Sequence, residues 1–157
     1  MEIERKFLMD GFPPLPARNS AIMQQGYLCC SPVVRIRSKH CDAQTSYRLC
    51  FKGKGTLVRE EIELDIEEKI FTSLCGLLEG PLIHKEWKTF PLADGLVLEC
   101  SHVDAGTPTA FYYAEVEFSS IEQAHDFVPP SYLGKEVTED SSYSMSQYWL
   151  RTRKNIV

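Results

Sequence analysis

Apolar and polar residues alternate along much of the chain, and this period of two predicts β-strands. Turn residues divide the alternating segments, as at Ser31-Pro32, Gly53-Lys54-Gly55 and Asp94-Gly95. The predicted strands cover residues near 1–9, 27–31, 33–39, 46–52, 57–65, 83–91, 96–103 and 111–118. Many short strands joined by turns favour a mainly β (α+β) fold, an eight-stranded antiparallel β-barrel with helices packed outside.

Four stretches interrupt the strand pattern, and we predict helices there. A short, turn-rich piece lies near 17–25, and a helix with apolar residues at helical spacing covers 67–79. A third helix covers about 120–127 and stops before Pro129-Pro130, because proline cannot continue a helix. A fourth is expected at 143–154, near the carboxyl end.

Charged side chains occupy one face of several predicted strands. In the first strand Glu2, Glu4 and Lys6 share a face, and Ile3 and Phe7 lie on the other. Such a charged face is either solvated or lines a polar interior, and a single strand fits both interpretations. Five strands repeat the mixed pattern at the same parity. We therefore favour the polar interior.

The side chains that would face this interior are seven acids and seven bases. The acids are Glu2, Glu4, Glu61, Glu63, Glu99, Glu115 and Glu117, and the bases are Lys6, Arg35, Arg37, Arg48, Lys52, Arg59 and Lys85. Lysine and arginine bind phosphate oxygens, and clustered glutamates bind hard cations such as Mg²⁺. A polyphosphate accompanied by one or two metal ions is the ligand that needs both.

Composition excludes several other classes of protein. The 157 residues include 22 acidic and 17 basic side chains, and the net charge of −5 argues against broad nucleic-acid binding. No run approaches the ~20 apolar residues of a membrane helix. The opening MEIERKFLMD lacks an apolar signal core, so we expect a cytoplasmic protein. The length fits a single domain over 1–157.

The cysteines and histidines point to neither disulfides nor zinc. A chain of this length without an export signal needs no covalent staple, so we expect the six cysteines to be reduced. No Cys-x-x-Cys pair occurs, and the four histidines are scattered, which argues against a structural zinc site.

Several segments match a known family in order along nearly the whole chain. The first reads Glu2-Ile3-Glu4-Arg5-Lys6-Phe7-Leu8. The others are Gly26-Tyr27-Leu28, Val34-Arg35-Ile36-Arg37, Phe51-Lys52-Gly53 with Gly55, Arg59-x-Glu61-x-Glu63, Ala114-Glu115-Val116-Glu117, and Leu133-Gly134-Lys135-Glu136-Val137-Thr138 with Asp140 and Tyr143. The chain thereby resembles the CYTH superfamily, the triphosphate tunnel metalloenzymes, whose signature is Glu-x-Glu-x-Lys.

The resemblance implies an eight-stranded antiparallel tunnel that binds triphosphate compounds with Mg²⁺ or Mn²⁺. The family includes inorganic triphosphatases, thiamine triphosphatases and class IV adenylate cyclases, and the opening is most similar to the short bacterial inorganic triphosphatases. We expect a hydrolase that converts inorganic tripolyphosphate to pyrophosphate and phosphate. The alternatives are an organic-triphosphate enzyme and a catalytically weakened tunnel that binds polyphosphate or nucleotides.

The same resemblance assigns roles to individual residues. The implied metal ligands are Glu2, Glu4, Glu115 and Glu117. The implied substrate-binding cations are Lys6, Arg35, Arg37, Lys52, Arg59 and Lys85, although Arg59 could instead pair with Glu61. Lys6 and Tyr27 are the candidate catalytic pair: if Tyr27 sits beside Lys6, the cation would lower the pKa of the phenol, and the hydroxyl could orient or activate water. The alternative is that Tyr27 is an aromatic side chain at the rim of the barrel. A metal-bound hydroxide is the alternative nucleophile.

Three positions depart from the family pattern. Trp87 stands where a second cation of the sixth strand is expected, Ser101 replaces an aspartate, and Ser142 replaces an arginine. The tryptophan could stack on an aromatic ring of a ligand or simply fill space. The expected partner is a triphosphate-containing small molecule, with no nucleic acid or membrane, and an exposed sheet edge would allow a homodimer.

Overall fold

A single antiparallel sheet of nine strands forms the body of the protein. The computed structural model describes residues 1–154. The strands are β1 Glu2–Met9, β2 Asn19–Cys30, β3 Val33–Cys41, β4 Gln44–Lys52, β5 Val58–Arg59, β6 Glu61–Asp65, β7 Ile83–Pro91, β8 Val97–Val103 and β9 Phe111–Glu117. Their order in the sheet is β5-β1-β9-β8-β7-β2-β3-β4-β6. The mainly β prediction is confirmed.

The segment predicted as one strand at 57–65 closes the sheet. It is divided at Glu60 into β5, which pairs with β1, and β6, which pairs with β4. Because β5 and β6 follow each other directly, they join the two ends of the sheet into a barrel-like ring. The eight predicted strands thus correspond to the nine observed ones, with this strand counted twice.

The helix predicted near 17–25 is wrong, because residues 19–25 of this stretch belong to β2. Ala21, Met23 and Gln25 are buried and alternate with exposed neighbours, which is the period of a strand. β2 also pairs along its length with β3 on one side and β7 on the other. Pairing on both sides outweighs the local composition, which lacks β-branched residues apart from Ile22. The strand predicted at 27–31 is the end of this longer one.

The other helical predictions are confirmed with shorter bounds. Helix α1 covers Glu68–Cys75, α2 covers Ile121–Asp126 and α3 covers Met145–Trp149, followed by a π-helical turn over Leu150–Lys154. The side chain of Ser120 caps α2 by accepting a hydrogen bond from the backbone of Gln123. Short 3₁₀ turns occupy Ala93–Gly95 and Ser141–Tyr143. Among the described residues, no helix is long and apolar enough to cross a membrane.

The apolar core lies on the outer side of the barrel wall. Leu98 and Val116 alternate with the charged residues of β8 and β9, are fully buried and pack against Ala124 of α2. A second cluster surrounds Tyr148 and Trp149 of the carboxyl-terminal helix. Because the helices cover these apolar faces, the charged faces of the same strands are turned inward.

The segment 133–138 runs antiparallel along β1 and holds it in place. The backbone of Gly134 donates to the carbonyl of Leu8, and a Cβ at Gly134 would collide with that carbonyl, so only glycine fits. Arg5 forms two hydrogen bonds to Glu136, at 2.7 and 2.9 Å. The outward side of β1 is thereby fixed, which positions its inward carboxylates.

Candidate active site

The charged faces line a cavity of about 580 Å³ inside the barrel. All seven predicted acids lie on its wall, and so do six of the seven predicted bases. These are Glu2, Glu4, Glu61, Glu63, Glu99, Glu115 and Glu117, with Lys6, Arg35, Arg37, Lys52, Arg59 and Lys85. The interior interpretation of the charge pattern therefore agrees with the structure, and the solvated-face alternative does not.

Arg48 is the predicted inward cation that lies outside this cavity. Its guanidinium contacts Glu63 at 2.6 Å and Asp65 at 3.2 Å, and its side chain is about half exposed. It lines a neighbouring cavity of about 460 Å³, together with Lys39, which was not among the predicted inward cations. Lys39 continues the alternation of Arg35 and Arg37, so its parity was the signal that could have found it.

Three carboxylates from two strands meet within metal-bridging reach. Oxygens of Glu2, Glu4 and Glu117 all lie within 4.8 Å of one another. The pairing of β1 with β9 causes this, since Glu4 lies directly opposite Glu117 and Lys6 opposite Glu115. An all-oxygen donor set of clustered carboxylates fits a hard divalent cation such as Mg²⁺ or Mn²⁺.

Glu115 is set apart from the other three carboxylates by its cationic neighbours. Burial alone would raise its pKa, but a hydrogen bond with Glu4 and the charges of Lys6 and Lys85 lower that pKa to about 2. Burial and the nearby Glu115 raise the pKa of Glu4 well above its usual value. Burial also raises the pKa of Glu117, and Glu99 adds to that effect. Bringing these carboxylates together is therefore costly without a cation.

Lys52 lies next to the carboxylate cluster. Its ammonium is 3.1 Å from Glu2 and 3.3 Å from Glu61. Burial and Arg35 would lower its pKa, but the surrounding glutamates outweigh them and raise it. Lys52, and not Arg59, is therefore the cation that pairs with Glu61; Arg59 donates instead to the carbonyl of Gly53, at 3.0 and 3.1 Å.

Lys6 and Lys85 approach one tyrosine from two directions. The ammonium of Lys85 donates to the hydroxyl of Tyr113 at 2.7 Å. The ammonium of Lys6 lies 4.3 Å from the centre of that ring and donates to the carbonyl of Tyr143 at 2.7 Å. Burial lowers the pKa of both lysines, to about 7 for Lys85, where Arg37 adds to the effect. Tyr113 was not predicted, although it shares the parity of Glu115.

Tyr27 lies in the cavity wall, and its hydroxyl accepts a hydrogen bond from Gln25 at 3.0 Å. Burial raises the pKa of Tyr27 and outweighs the lowering by Arg35. The nearby cations therefore do lower the pKa of Tyr27, as expected, but burial outweighs them and the net shift is upward. Gln25 was missed because its segment was assigned to a helix.

Two polar atoms in this wall are buried without a hydrogen-bond partner among the described residues, Gln25 Oε1 and Arg35 Nε. Unpaired buried polar atoms are costly, and they commonly mark the place of a ligand or water. One is an acceptor and the other a donor, and the strands that carry them are neighbours. This wall can therefore bind a ligand that both donates and accepts, as water does.

Two of the three departures from the family pattern face each other. Trp87 of β7 lies directly opposite Ser101 of β8. Compared with the family pattern, one cation and one acid are thus missing from adjacent positions. The two losses cancel, so the net charge of the interior is the same as in that pattern. Ser142 lines neither cavity. Its hydroxyl and its backbone N–H both donate to the carboxylate of Asp140, which caps the 3₁₀ turn over Ser141–Tyr143.

The fold and its interior define a barrel protein in which clustered carboxylates and buried cations share one cavity. No protein-family model matches the chain. The chain is 37% identical over 142 residues to an inorganic triphosphatase of Nitrosomonas europaea, covering 90% of this chain and 92% of that protein.

The similarity to solved structures extends over the same length. The crystal structure of the inorganic triphosphatase NE1496 matches with a TM-score of 0.67 and 31% identity over 96% of this chain and 95% of that one. HpAC1 from Hippeastrum matches with a TM-score of 0.60 and 17% identity over 80% of this chain and 83% of that one, which shows the fold alone. The chain belongs to the inorganic triphosphatase family within the CYTH-like triphosphate tunnel proteins.

Proposed function

We propose that the protein is a divalent-metal-dependent hydrolase of triphosphate compounds, and that it cleaves inorganic tripolyphosphate to pyrophosphate and phosphate. The observation that carries the proposal is one cavity in which a three-carboxylate cluster faces a set of buried cations. The activity of the Nitrosomonas europaea relative supports it. A polyphosphate needs neutralisation by cations along its length and a metal at its reacting end.

The carboxylates Glu2, Glu4 and Glu117 would hold Mg²⁺ or Mn²⁺, with Glu115 beside them. When bound, the ion would act as a Lewis acid on the phosphoryl oxygens. The phosphate oxygens would accept hydrogen bonds from Arg35, Arg37, Lys52, Arg59, Lys85 and Lys6. These groups neutralise charge and align the chain for in-line attack by water.

Tyr27 would act as a hydrogen-bond donor and not as a base. Gln25 occupies one lone pair of the phenol oxygen, so the hydroxyl proton of Tyr27 remains available to a phosphate oxygen or to the attacking water. Its raised pKa keeps that proton in place. Lys6 would be a second donor. Its ammonium donates one hydrogen bond to the carbonyl of Tyr143, and its other hydrogens remain available to the substrate.

Cell compartment and assembly follow as further parts of the proposal. The chain would act in the cytoplasm, where its thiols stay reduced; within residues 1–154 no cysteine is in a disulfide. A homodimer would form through the outer face of β4 and β6, which exposes Phe51, Ile62 and Leu64.

The direct test measures phosphate release from tripolyphosphate with Mg²⁺ or Mn²⁺. We expect turnover that stops when a chelator removes the metal and returns when metal is added in excess. Calorimetry with tripolyphosphate accompanies the assay. Tight binding without release under any metal or pH would replace the hydrolase with a binding protein, and turnover of nucleotides alone would indicate an organic-triphosphate enzyme.

We expect Lys85 to make the substrate affinity of the enzyme depend on pH. The lysine is a cation below its pKa of about 7 and neutral above it, because burial and the facing cations Arg37, Arg35 and Lys6 outweigh Glu115. The kcat/KM of the wild type should therefore fall as the pH rises through that value. The variant Lys85→Arg keeps its charge, since a guanidinium titrates only above about pH 12.

The ratio of wild type to Lys85→Arg cancels the ionisation of the substrate and of other residues. We expect kcat/KM of the wild type, relative to the variant, to drop by at least about tenfold between about pH 6 and pH 9, the worth of one charge-assisted hydrogen bond. A ratio that is flat across this range would show that Lys85 does not titrate while binding substrate.

A further inference from the structure

The carboxamide of Gln25 is buried but only partly hydrogen-bonded. The side chain is fully buried, and it forms part of the wall of the first and larger of the two cavities. Its amide nitrogen donates to the hydroxyl of Tyr27 at 3.0 Å, whereas its Oε1 has no hydrogen-bond partner among the described residues. A buried carbonyl oxygen without a donor is costly, so one that persists in a cavity wall indicates a place for a ligand.

The ligand that binds to Gln25 Oε1 must donate a hydrogen bond. A triphosphate offers chiefly acceptor oxygens, so it does not satisfy a second acceptor. Water is the other reactant of a hydrolysis, and it both donates and accepts. Because the amide is neutral, it can hold water near a phosphate without adding a negative charge. The chemistry of this oxygen therefore suits the attacking water and not the substrate.

Arg35 offers a donor to the same water. Its side chain is 7% exposed, and its Nε has no hydrogen-bond partner within residues 1–154. Arg35 lies opposite Tyr27 and Arg37 lies opposite Gln25, so Arg35 is a diagonal neighbour of Gln25, within reach of a long side chain. A water held by both would donate to Oε1 and accept from Nε, which leaves one lone pair of its oxygen for phosphorus. The other N–H groups of the guanidinium remain available to phosphate.

The place of Gln25 in the barrel fits an in-line reaction. In the order of strands, β9, β8 and β7 separate β2 from β1, so Gln25 and the carboxylate cluster lie on different sides of the cavity. The attacking and leaving oxygens of a phosphoryl transfer lie roughly in line, on opposite sides of phosphorus. Water on the β2 wall would therefore approach the substrate from the side away from the carboxylates.

We propose that Gln25 holds and orients the water that attacks the terminal phosphorus of the triphosphate. The oxygen of this water forms a new P–O bond as the bridging P–O bond breaks, and the electron pair of the broken bond leaves with pyrophosphate. One proton of the water stays on the attacking oxygen, and the other moves to another oxygen of the same new phosphate. The amide thus accepts a hydrogen bond and no proton. This inference rests on the proposed triphosphatase function and locates its nucleophile on the β2 wall.

The test is the variant Gln25→Met, which keeps the length of the side chain and removes both hydrogen bonds. We expect kcat for tripolyphosphate to fall by about 10²-fold and KM to change by less than about threefold, because Gln25 orients water and does not contact the substrate. The Tm should be unchanged or higher, since the variant no longer buries an unpaired oxygen. Gln24→Met is the matched control: Gln24 is the exposed neighbour on the same strand, and this variant should keep the wild-type kcat and KM.

The Tyr27→Phe background separates the two roles that the amide of Gln25 could have. If the amide acted only by anchoring the Tyr27 hydroxyl, Gln25→Met would have no further effect once that hydroxyl is removed, and the inference would be overturned. We expect Gln25→Met to lower kcat by at least about tenfold more in this background, because the water loses its acceptor independently of Tyr27.

The remaining outcomes distinguish this inference from the proposed function. A rise in KM with kcat unchanged would make Gln25 a substrate ligand, and unchanged constants in a folded Gln25→Met protein would place the nucleophile elsewhere, for example on the metal. Either result overturns the inference and leaves the hydrolase intact. A wild type that binds tripolyphosphate without hydrolysing it would refute both. Should Gln25→Met not fold, Gln25→Leu removes the same two hydrogen bonds and carries the same expectation.

Discussion

Replacing Glu4 by glutamine should lower kcat/KM for tripolyphosphate by about 10²- to 10³-fold, since a metal's Lewis acidity supplies several kcal/mol of transition-state stabilisation. Glu4 is one of three carboxylates whose oxygens converge. Glutamine keeps the shape and can still donate to Glu115, but it removes a negative charge from the metal ligands. Activity should recover in part at high Mg²⁺ or Mn²⁺, because weaker binding is offset by mass action.

The same Glu4→Gln substitution should leave the thermal stability of the metal-free protein unchanged or raise it. Burial and the neighbouring acids raise the pKa of Glu4 well above normal, so its carboxylate is unfavourable in the metal-free protein. The Tm of metal-free Glu4→Gln should therefore equal or exceed that of the wild type, as expected for a site that sacrifices stability for function.

The matched control for this prediction is Glu86→Gln. Glu86 lies on a tunnel strand, but its half-exposed side chain faces outward, 3.8 Å from Lys88 and 4.0 Å from His102. Activity and metal affinity should be unchanged. If Glu4→Gln lost its Tm together with its activity and no metal concentration restored turnover, Glu4 would be a structural residue and not a metal ligand.

The sequence predicted which way the side chains of each strand point better than it predicted which strands lie side by side. A period of two determines that Glu2, Glu4 and Lys6 point the same way, and the structure bears this out. The same pattern says nothing about which strand lies beside β1. The approach of Glu117 to Glu4 depends on pairing across more than a hundred residues, and only the family resemblance indicated it.

The secondary structure was predicted wrongly where the local pattern is ambiguous, and this segment forms part of the cavity wall. The segment around Met23 and Gln25 mixes apolar and polar residues without a clear period, so its strand became apparent only from pairing with β3 and β7. Because this strand was not predicted, Gln25 and its contact with Tyr27 were not predicted either. Burial then reversed the sign of the expected shift at Tyr27, because desolvation depends on packing that no local pattern records.

A loop and the carboxyl-terminal helix are joined by a buried ion pair that no periodicity could reveal. Asp104 accepts two hydrogen bonds from Arg153, at 2.7 and 3.1 Å, and others from the hydroxyl of Tyr148 and the backbone of His84. These contacts anchor α3, whose Gln147 and Ser146 line the first cavity. The network therefore holds one wall of the tunnel.

Replacing Asp104 by alanine should lower the free energy of unfolding by about 3–5 kcal/mol, because it leaves Arg153 buried without its counter-charge. The hydrogen bonds from Arg153 and Tyr148 outweigh burial and lower the pKa of Asp104. A carboxylate with a depressed folded-state pKa stabilises the protein above its unfolded value, near pH 4, and loses that effect as the pH falls through the lower folded value. The difference between wild type and variant should therefore be constant near neutrality and shrink in acid.

Asp65→Ala provides the surface comparison, since Asp65 is 85% exposed in its side chain and pairs with the half-exposed Arg48. Asp65→Ala should lower the free energy of unfolding by less than about 1 kcal/mol. Denaturant unfolding of the three proteins across acid and neutral pH measures both differences. A cost for Asp104→Ala no larger than that for Asp65→Ala would contradict the prediction and mean that the packing of Tyr148 and Trp149 holds the carboxyl-terminal helix without help from the ion pair.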